Sequence, residues 1–370
     1  MSEERIGTRV LRAAGSAAPQ GAPFLAGPTF AAPYFFAGDD RDATYTYART
    51  GNPTWTAFEA ALDALEGGAG ALVFASGMAA ITAVMATVLR PRDVVLVPSD
   101  GYYETRAFAH TRLAAIGVDV REYSTATDDI ASLVDGAALL WLETPTNPRL
   151  DVCDIAAICA RAHAAGALVA VDNTTATIAA QSPLALGADF SVASDTKALT
   201  GHADLILGHV AAADADWFAK LRAYRTQTGG IAGPMEVWLA HRSLATLDVR
   251  LERQCANAAA IATLLRGHPD VTGVRYPGLE GDPAHAVAAR QMRRFGPVVS
   301  FELRDRAATD RFFSRARLVI EATSFGGVHT SAERRARWGA DAVSESFVRL
   351  SAGCEDPADL LADLAQALGP

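Results

Sequence analysis

The chain carries two lysines, Lys197 and Lys220, against 31 arginines. Arginine stays protonated, whereas lysine can lose its proton and condense with a carbonyl as a Schiff base. A lysine that persists in an arginine background therefore invites a chemical explanation. Lys197 stands in Ser194-Asp195-Thr196-Lys197, just after an apolar run, and Ser194 and Thr196 are spaced so that both could bond one anion. Lys220 stands in Trp217-Phe218-Ala219-Lys220-Leu221-Arg222, an amphipathic helical pattern in which a lysine reads as part of a solvated face. Asp172 closes another apolar run, 25 residues before Lys197. A carboxylate there suits a protonated pyridine nitrogen, and it suits a loop cap as well. Ser76-Gly77-Met78 follows a third apolar run and opens a helical pattern. Free amides at a helix start favour a phosphate, and glycine permits close approach, although many such turns bind nothing. Tyr102 could stack on a planar ligand, with Tyr103 beside it an equal candidate. Arg349, in Phe347-Val348-Arg349-Leu350-Ser351, is either a surface residue or a bidentate carboxylate clamp.

These residues need elements to hold them, and hydrophobic periodicity supplies the outline. Short apolar runs at Ala71–Ala75, Val94–Val97, Ala138–Leu142, Ala167–Val171, Phe190–Ala193 and Leu205–Ala213 read as strands. Helical spacing fills Thr54–Glu66, Met78–Leu89, Thr105–Ile116 and Ile155–Ala165. Strands that are apolar throughout and alternate with helices imply an α/β fold with a mainly parallel sheet covered on both faces. In such sheets ligands bind at the carboxyl ends of the strands, where Asp172, Ser76 and Ser194 fall. Residues 1–45, punctuated by Pro19, Pro23, Pro28 and Pro33, read as an irregular N-terminal arm. Residues 46–233 form a large domain on this reading. Residues 234–370 form a smaller α/β domain, with a helix after Pro234, a strand at Val298–Leu303, a helix at Ala307–Arg315 and a last helix from Pro357.

Composition narrows the function classes. Half of the residues are hydrophobic and 20% are charged, ordinary for a soluble globular protein. A net charge of −9 argues against a nucleic-acid surface. The apolar runs are too short to span a bilayer, and the N-terminus lacks a basic-then-apolar export pattern, so no membrane association and a cytoplasmic location are expected. Cys153, Cys159, Cys255 and Cys354 form no CxxC pair and no metal-like cluster with histidine, which leaves buried reduced thiols and no metal as the expectation. A GxGxxG fingerprint and a GxxxxGK[ST] loop are both absent, which removes the main support for a dinucleotide or nucleoside triphosphate.

Taken in order, the motifs resemble those of the cystathionine γ-lyase, γ-synthase and β-lyase family of fold-type I pyridoxal-phosphate enzymes. The resemblance runs from about Tyr45 to about Leu361. It rests on Tyr47-Ala48-Arg49-Thr50-Gly51-Asn52-Pro53-Thr54, Ser76-Gly77-Met78-Ala79-Ala80 and Glu143-Thr144-Pro145-Thr146-Asn147-Pro148, then Asp172-Asn173-Thr174 and Ser194-Asp195-Thr196-Lys197, then Gly201-His202 with Asp204. Ser324-Phe325-Gly326-Gly327-Val328 and Arg349-Leu350-Ser351-Ala352-Gly353-Cys354-Glu355-Asp356 complete it. The stretch Ala332-Glu333-Arg334-Arg335-Ala336-Arg337-Trp338-Gly339 is similar to the actinobacterial-type cystathionine γ-lyases.

The resemblance implies pyridoxal 5'-phosphate as cofactor, held covalently by Lys197, which also shuttles protons. It implies that Asp172 pairs with the pyridine nitrogen and that Tyr102 stacks on the ring and assists proton transfer. Gly77, Met78, Ser194 and Thr196 would bind the phosphate. Tyr47 and Arg49 would reach the phosphate of a neighbouring subunit, so that active sites are shared within a homotetramer built as a dimer of dimers. Asn147 would lie near the ring hydroxyl and the substrate, and Arg349 with Ser324 would hold the substrate α-carboxylate. The expected reaction is α,γ-elimination of cystathionine to cysteine, 2-oxobutyrate and ammonia. The alternatives are γ-replacement on an O-acylhomoserine, a specialised γ- or β-replacement, and β-elimination. Departures from the family pattern bear on substrate. Tyr103 and Glu104 replace two glycines, and Glu104 stands where methionine γ-lyases carry a cysteine. Thr175 and Ala198 replace aromatic residues, Phe325 replaces a leucine, and His329 replaces a glutamate near the distal end of the substrate.

Overall fold

The computed structural model describes residues 4–15, 20–38 and 43–369; Pro19, one of the arm's prolines, lies outside them. The first sheet contains β1 (Gly70–Phe74), β2 (Val94–Pro98), β3 (Asp119–Tyr123), β4 (Leu139–Glu143), β5 (Leu168–Asp172), β6 (Phe190–Ala193) and β7 (Gly208–Ala212). Their spatial order is β1-β7-β6-β5-β4-β2-β3, and pairing is parallel from β6 to β3. Strand β7 runs antiparallel to both β1 and β6, so the sheet is mixed at that edge. The second sheet contains β8 (Val271–Arg275), β9 (Val298–Leu303), β10 (Ile320–Glu321), β11 (Ser331–Arg334) and β12 (Phe347–Ser351), in the order β10-β11-β12-β9-β8.

The described helices are α1 (Ile6–Ala14), α2 (Pro53–Glu66), α3 (Gly77–Val88), α4 (Tyr103–Phe108), α5 (Ile130–Leu133), α6 (Ile155–Ala164), α7 (Ala215–Thr228), α8 (Pro234–Leu244), α9 (Leu247–Arg266), α10 (His285–Gln291), α11 (Arg306–Arg315) and α12 (Pro357–Leu368). Capping chemistry sets several starts. Asn52 accepts from the Thr54 amide ahead of Pro53, Ser76 caps α3 and Asp154 caps α6.

Alternation along the strands divides the packing between the two sheet faces. Leu72, Phe74, Leu139 and Trp141 share a core with α3 and α7. Leu140, Leu142, Val169 and Val171 pack on α5 and α6, while Ala71, Val73 and Ala211 pack on α2, α8 and the first turns of α9. Helix α9 then leaves that core. Its Ala258, Ile261 and Leu265 belong to the core of the second sheet. One rigid helix therefore connects both halves of the molecule.

Five points of the sequence reading need correction. The arm is not wholly irregular. Ile6, Val10 and Ala14 recur at helical spacing, and α1 packs them on α2, α8 and α9, with the Arg9 guanidinium donating to the Ala64 and Leu65 carbonyls. Strand β3 was missed because Asp119-Val120-Arg121-Glu122-Tyr123 is an exposed edge, charged where central strands are apolar. Of the cysteines, Cys153 and Cys159 are buried, but Cys255 and Cys354 are only half-buried. The strand read at Leu205–Ala213 shortens to Gly208–Ala212. The helix read at Thr105–Ile116 begins at Tyr103, widens to a π-turn over Ala109–Leu113 and ends as a 3₁₀ turn.

Candidate active site

The carboxyl ends of β1, β4, β5 and β6 converge on a cavity of about 420 Å³. Gly77, Met78, Tyr102, Asn147, Asp172, Ser194, Thr196, Lys197, Ser324 and Arg349 all line it. Residues spread over 272 positions of sequence thus meet in one place. Tyr47 and Arg49 do not line it. Both are exposed: the Arg49 guanidinium donates to the Thr226 carbonyl at 2.7 Å and lies over the Tyr47 ring.

Lys197 is half-buried, and its Nζ donates to Ser324 Oγ at 2.9 Å. Burial, reinforced by the nearby Arg349 charge, lowers its pKa to about 8. A useful fraction of the amine is therefore neutral, and so nucleophilic, near physiological pH. Phe325 presents its ring to both cations, 5.4 Å from Lys197 Nζ and 5.0 Å from the Arg349 Cζ.

Asp172 ends β5 and is buried. Its Oδ1 accepts from the Thr174 amide at 3.0 Å. Burial raises its pKa, while the Thr174 bonds, Lys197 and His209 act in the opposite direction. A buried carboxylate aimed into a cavity gains most from a cationic partner there.

The start of α3 forms one wall of the cavity. Ser76 Oγ accepts from the Ala79 amide, and the Gly77 and Met78 amides, at the first two helical positions, have no intrahelical acceptor. A Cβ on Gly77 would lie 2.6 Å from the Ser194 Cβ, so only glycine fits between helix and loop. The Thr196 hydroxyl is already engaged: it accepts from the Leu207 amide at 3.0 Å and donates to the Leu207 carbonyl at 3.2 Å.

Tyr102 lies at the N-cap of α4, with its ring 5.1 Å from that of Tyr103. Burial, with Tyr103 and Glu104 adding to it, pushes the Tyr102 hydroxyl up to about 12. Arg349 is fully enclosed. One amino group donates to Asn147 Oδ1 at 2.6 Å, and the other to the Ser324 carbonyl at 2.8 Å and to Glu333. Burial lowers its pKa to about 10, which leaves it charged at neutral pH.

Two carboxylates of the site escaped the sequence reading. Glu143 ends β4 as Asp172 ends β5, and the two are register partners across the strands. Its Oε2 accepts from the Tyr102 amide at 2.6 Å and its Oε1 from the Asn147 amide at 2.8 Å. Burial, then the Asp172 charge, drives its pKa well up. The strand-end position that singled out Asp172 could have found it. Glu333 is buried between Arg349 and Arg335 and accepts from Trp338 Nε1 at 2.9 Å. Burial works against its charge, but Arg349 and these other donors hold its pKa below the usual carboxylate range. Arg335 and Trp338 lie within five residues of it, but Arg349, the partner that ties it to the site, comes from another strand.

Two residues expected to bear on substrate lie elsewhere. Glu104 is exposed and lines no part of this cavity. His329, also exposed, lines an adjoining cavity of about 900 Å³ that shares Thr196, Ser324 and Phe325 with the first.

A lysine amine with a lowered pKa, a buried carboxylate, a glycine-tight helix start, an aromatic ring and an arginine clamp together fit pyridoxal phosphate and an amino-acid substrate. The comparisons agree with that donor set. Residues 22–369 match the model of the family described as Cys/Met metabolism PLP-dependent enzymes. The chain belongs to that family. This Cys/Met-metabolism enzyme is 54% identical, over 98% of its length and 93% of the relative's, to a Streptomyces coelicolor protein whose name gives cystathionine γ-lyase as a provisional assignment. A cystathionine γ-synthase of Xanthomonas oryzae pv. oryzae, solved in complex with cystathionine, superposes with a TM-score of 0.95 at 34% identity, covering 99% of this chain and 98% of that one. An apo methionine γ-lyase of Micromonospora echinospora superposes with a TM-score of 0.93 at 39% identity over the whole of both chains. Pyridoxal 5'-phosphate is the cofactor, and the architecture is the fold-type I α/β fold of these enzymes. No helix among the described residues is long and apolar enough to cross a membrane.

Proposed function

We propose that this enzyme is a carbon–sulfur lyase that converts cystathionine and water to cysteine, 2-oxobutyrate and ammonia, the γ-sulfur leaving as the thiol of cysteine. The observation that carries the reading is the meeting of Lys197 and Arg349 through Ser324, which accepts from the one with its hydroxyl and from the other with its carbonyl. An amine-directed group and a carboxylate-directed group are thereby fixed at one end of an amino acid. Bound pyridoxal phosphate supplies an electron sink for a carbanion next to the substrate amine.

The chain supplies the rest. Lys197 Nζ, near pKa 8, takes the proton from the substrate Cα and returns it elsewhere along the carbon chain. The Asp172 carboxylate holds a cationic ring nitrogen. Tyr102 keeps its proton at neutral pH and can deliver it to the departing γ-sulfur. Gly77, Met78 and Ser194 hold the phosphate, joined by Thr196 once its hydroxyl turns from the Leu207 carbonyl, and Arg349 with Asn147 orients the α-carboxylate. Tyr47 and Arg49, which do not line the cavity of their own chain, serve the site of a second copy in a dimer, and two dimers make the tetramer. The arm (1–45), large domain (46–233) and small domain (234–370) and a cytoplasmic location belong to the same reading.

Incubation with cystathionine and identification of products tests it. Cysteine with 2-oxobutyrate is expected. Homocysteine with pyruvate would make the enzyme a β-lyase, and no turnover would remove cystathionine as substrate. The likeness to the γ-synthase supports one alternative, γ-replacement. Formation of cystathionine from cysteine and O-succinylhomoserine or O-acetylhomoserine, faster than its cleavage, would favour that alternative.

A further inference from the structure

Helix α9 carries a buried polar stripe at Arg250, Gln254 and Asn257, spaced so that all three face one way. Each residue grips a different loop around the cavity. Arg250 donates to the Ala198 and Leu199 carbonyls, both at 2.8 Å, on the loop that bears Lys197. Gln254 donates to the Gly326 and Gly327 carbonyls at 3.2 and 2.7 Å, just after Ser324 and Phe325. Asn257 donates to the Gly353 and Glu355 carbonyls, both at 3.0 Å, on the turn that follows the Arg349 strand.

The middle residue holds the most sensitive joint. Ser324 sits at φ +79°, a left-handed conformation that non-glycine residues adopt only when their surroundings impose it. Ser324 is also the link between Lys197 and Arg349. Gly326 presses on the Lys197 loop so closely that a Cβ there would lie 2.4 Å from the Ala198 nitrogen. Gln254 Oε1 is buried and has no protein partner, so the side chain earns its place through its two donated bonds. An apolar residue of equal size would fill the space without burying an amide.

We propose that Gln254 is a positioning residue: its bonds to Gly326 and Gly327 set the separation of the Lys197 amine from the Arg349 carboxylate clamp. The proposal rests on the assignment of Lys197 and Arg349 to one substrate, and it holds for any α-amino acid that binds there. Glycine, which has the amine and the carboxylate but no leaving group, is therefore the probe.

Glycine is titrated into the holoenzyme, its binding is followed by the visible absorbance of the cofactor, and cystathionine kinetics are measured alongside. Gln254→Met is expected to weaken glycine binding roughly tenfold, the loss of about one well-placed hydrogen bond, and to raise KM more than it lowers kcat. Gln254→Asn, with the amide drawn back by one methylene, should behave similarly. Gln254→His, whose Nε2 reaches a similar position, should recover most of the affinity. Arg253→Met, on the exposed side of the same helix, should match the parent. Cofactor loading should stay unchanged throughout. Native glycine affinity in Gln254→Met, or in Gln254→Asn should the first variant not fold, overturns the proposal. If the parent binds glycine but does not cleave cystathionine, the substrate assignment fails while the positioning role is still decided.

Discussion

Lys197 and Lys220 share a side chain and differ in everything around it. Lys220 is exposed, with its ammonium 3.9 Å from the Trp217 ring centroid, an interaction that arginine would also make. Lys197 is enclosed, hydrogen-bonded to Ser324 and pushed toward its neutral form. Lys197→Ala is expected to abolish turnover and the visible absorbance of covalently held cofactor. Lys220→Ala should keep both and lose about 0.5–1 kcal/mol of stability at most. Equal behaviour of the two variants in an absorbance scan and an activity assay would refute the assignment. At this scale the sequence was informative because composition and motif order pointed to the same lysine. Glu333 was illegible for the opposite reason. Arg335 and Trp338 stand close to it in sequence, but its meaning lies in Arg349, which only the pairing of β11 with β12 brings to it.

At the scale of elements, the apolar strands and the helices between them were readable because both of their faces are covered. The edge strand β3 and helix α1 were not, since an edge is charged and α1 sits in a segment full of breakers. Strand β4 shows how an element acts on the site. Its terminal Glu143 receives two backbone amides, one from Tyr102 at the start of α4 and one from Asn147 on the following loop. Glu143→Gln keeps the shape, but its amide nitrogen must face one of those two donors. A loss of about 1–3 kcal/mol follows for leaving one buried amide donor unpaired, read as a roughly five- to hundredfold drop in kcat/KM with cofactor still bound. A kcat/KM within twofold of the parent would show that β4 does not position the tyrosine or the asparagine.

Strand β7 gives a second prediction at this scale. His209 is fully buried, with Nδ1 2.6 Å from Asp195 and Nε2 3.1 Å from Glu66. Burial alone would lower its pKa, but Asp195 and then Glu66 outweigh this and raise it from 6.5 to about 10. A raised pKa in the folded state contributes stability that is complete below 6.5 and is lost as pH climbs through about 10. The melting temperature should therefore fall between pH 7 and pH 10, by about 5 °C or more. In His209→Asn, which cannot carry the charge, the same window should be nearly flat. Parallel melting curves for the two proteins across that range would remove the buried imidazolium.

For the whole molecule, the question is which chain completes each phosphate site. The motif around Tyr47 and Arg49 has the residues expected at a phosphate, yet Arg49 is spent on the Thr226 carbonyl and neither residue lines the Lys197 cavity. Order along the sequence matched the motif to the family, and it was that resemblance, not the residues by themselves, that implied the phosphate of a neighbouring subunit. Sharing between subunits makes a quantitative prediction. Arg49→Ala and Lys197→Ala should each be inactive or severely impaired alone. In a mixed dimer, one site combines the intact Lys197 of the first variant with the intact Arg49 of the second, and the other site carries both lesions. Random reassembly of equal amounts makes about half of the dimers mixed, each with one sound site of two, so recovery should approach about a quarter of native activity. The measurement is activity after the two variants are dissociated together and allowed to reassociate. Recovery near that fraction requires Arg49 to act across the interface. Activity no greater than the average of the separate variants would mean that each chain builds its phosphate site alone.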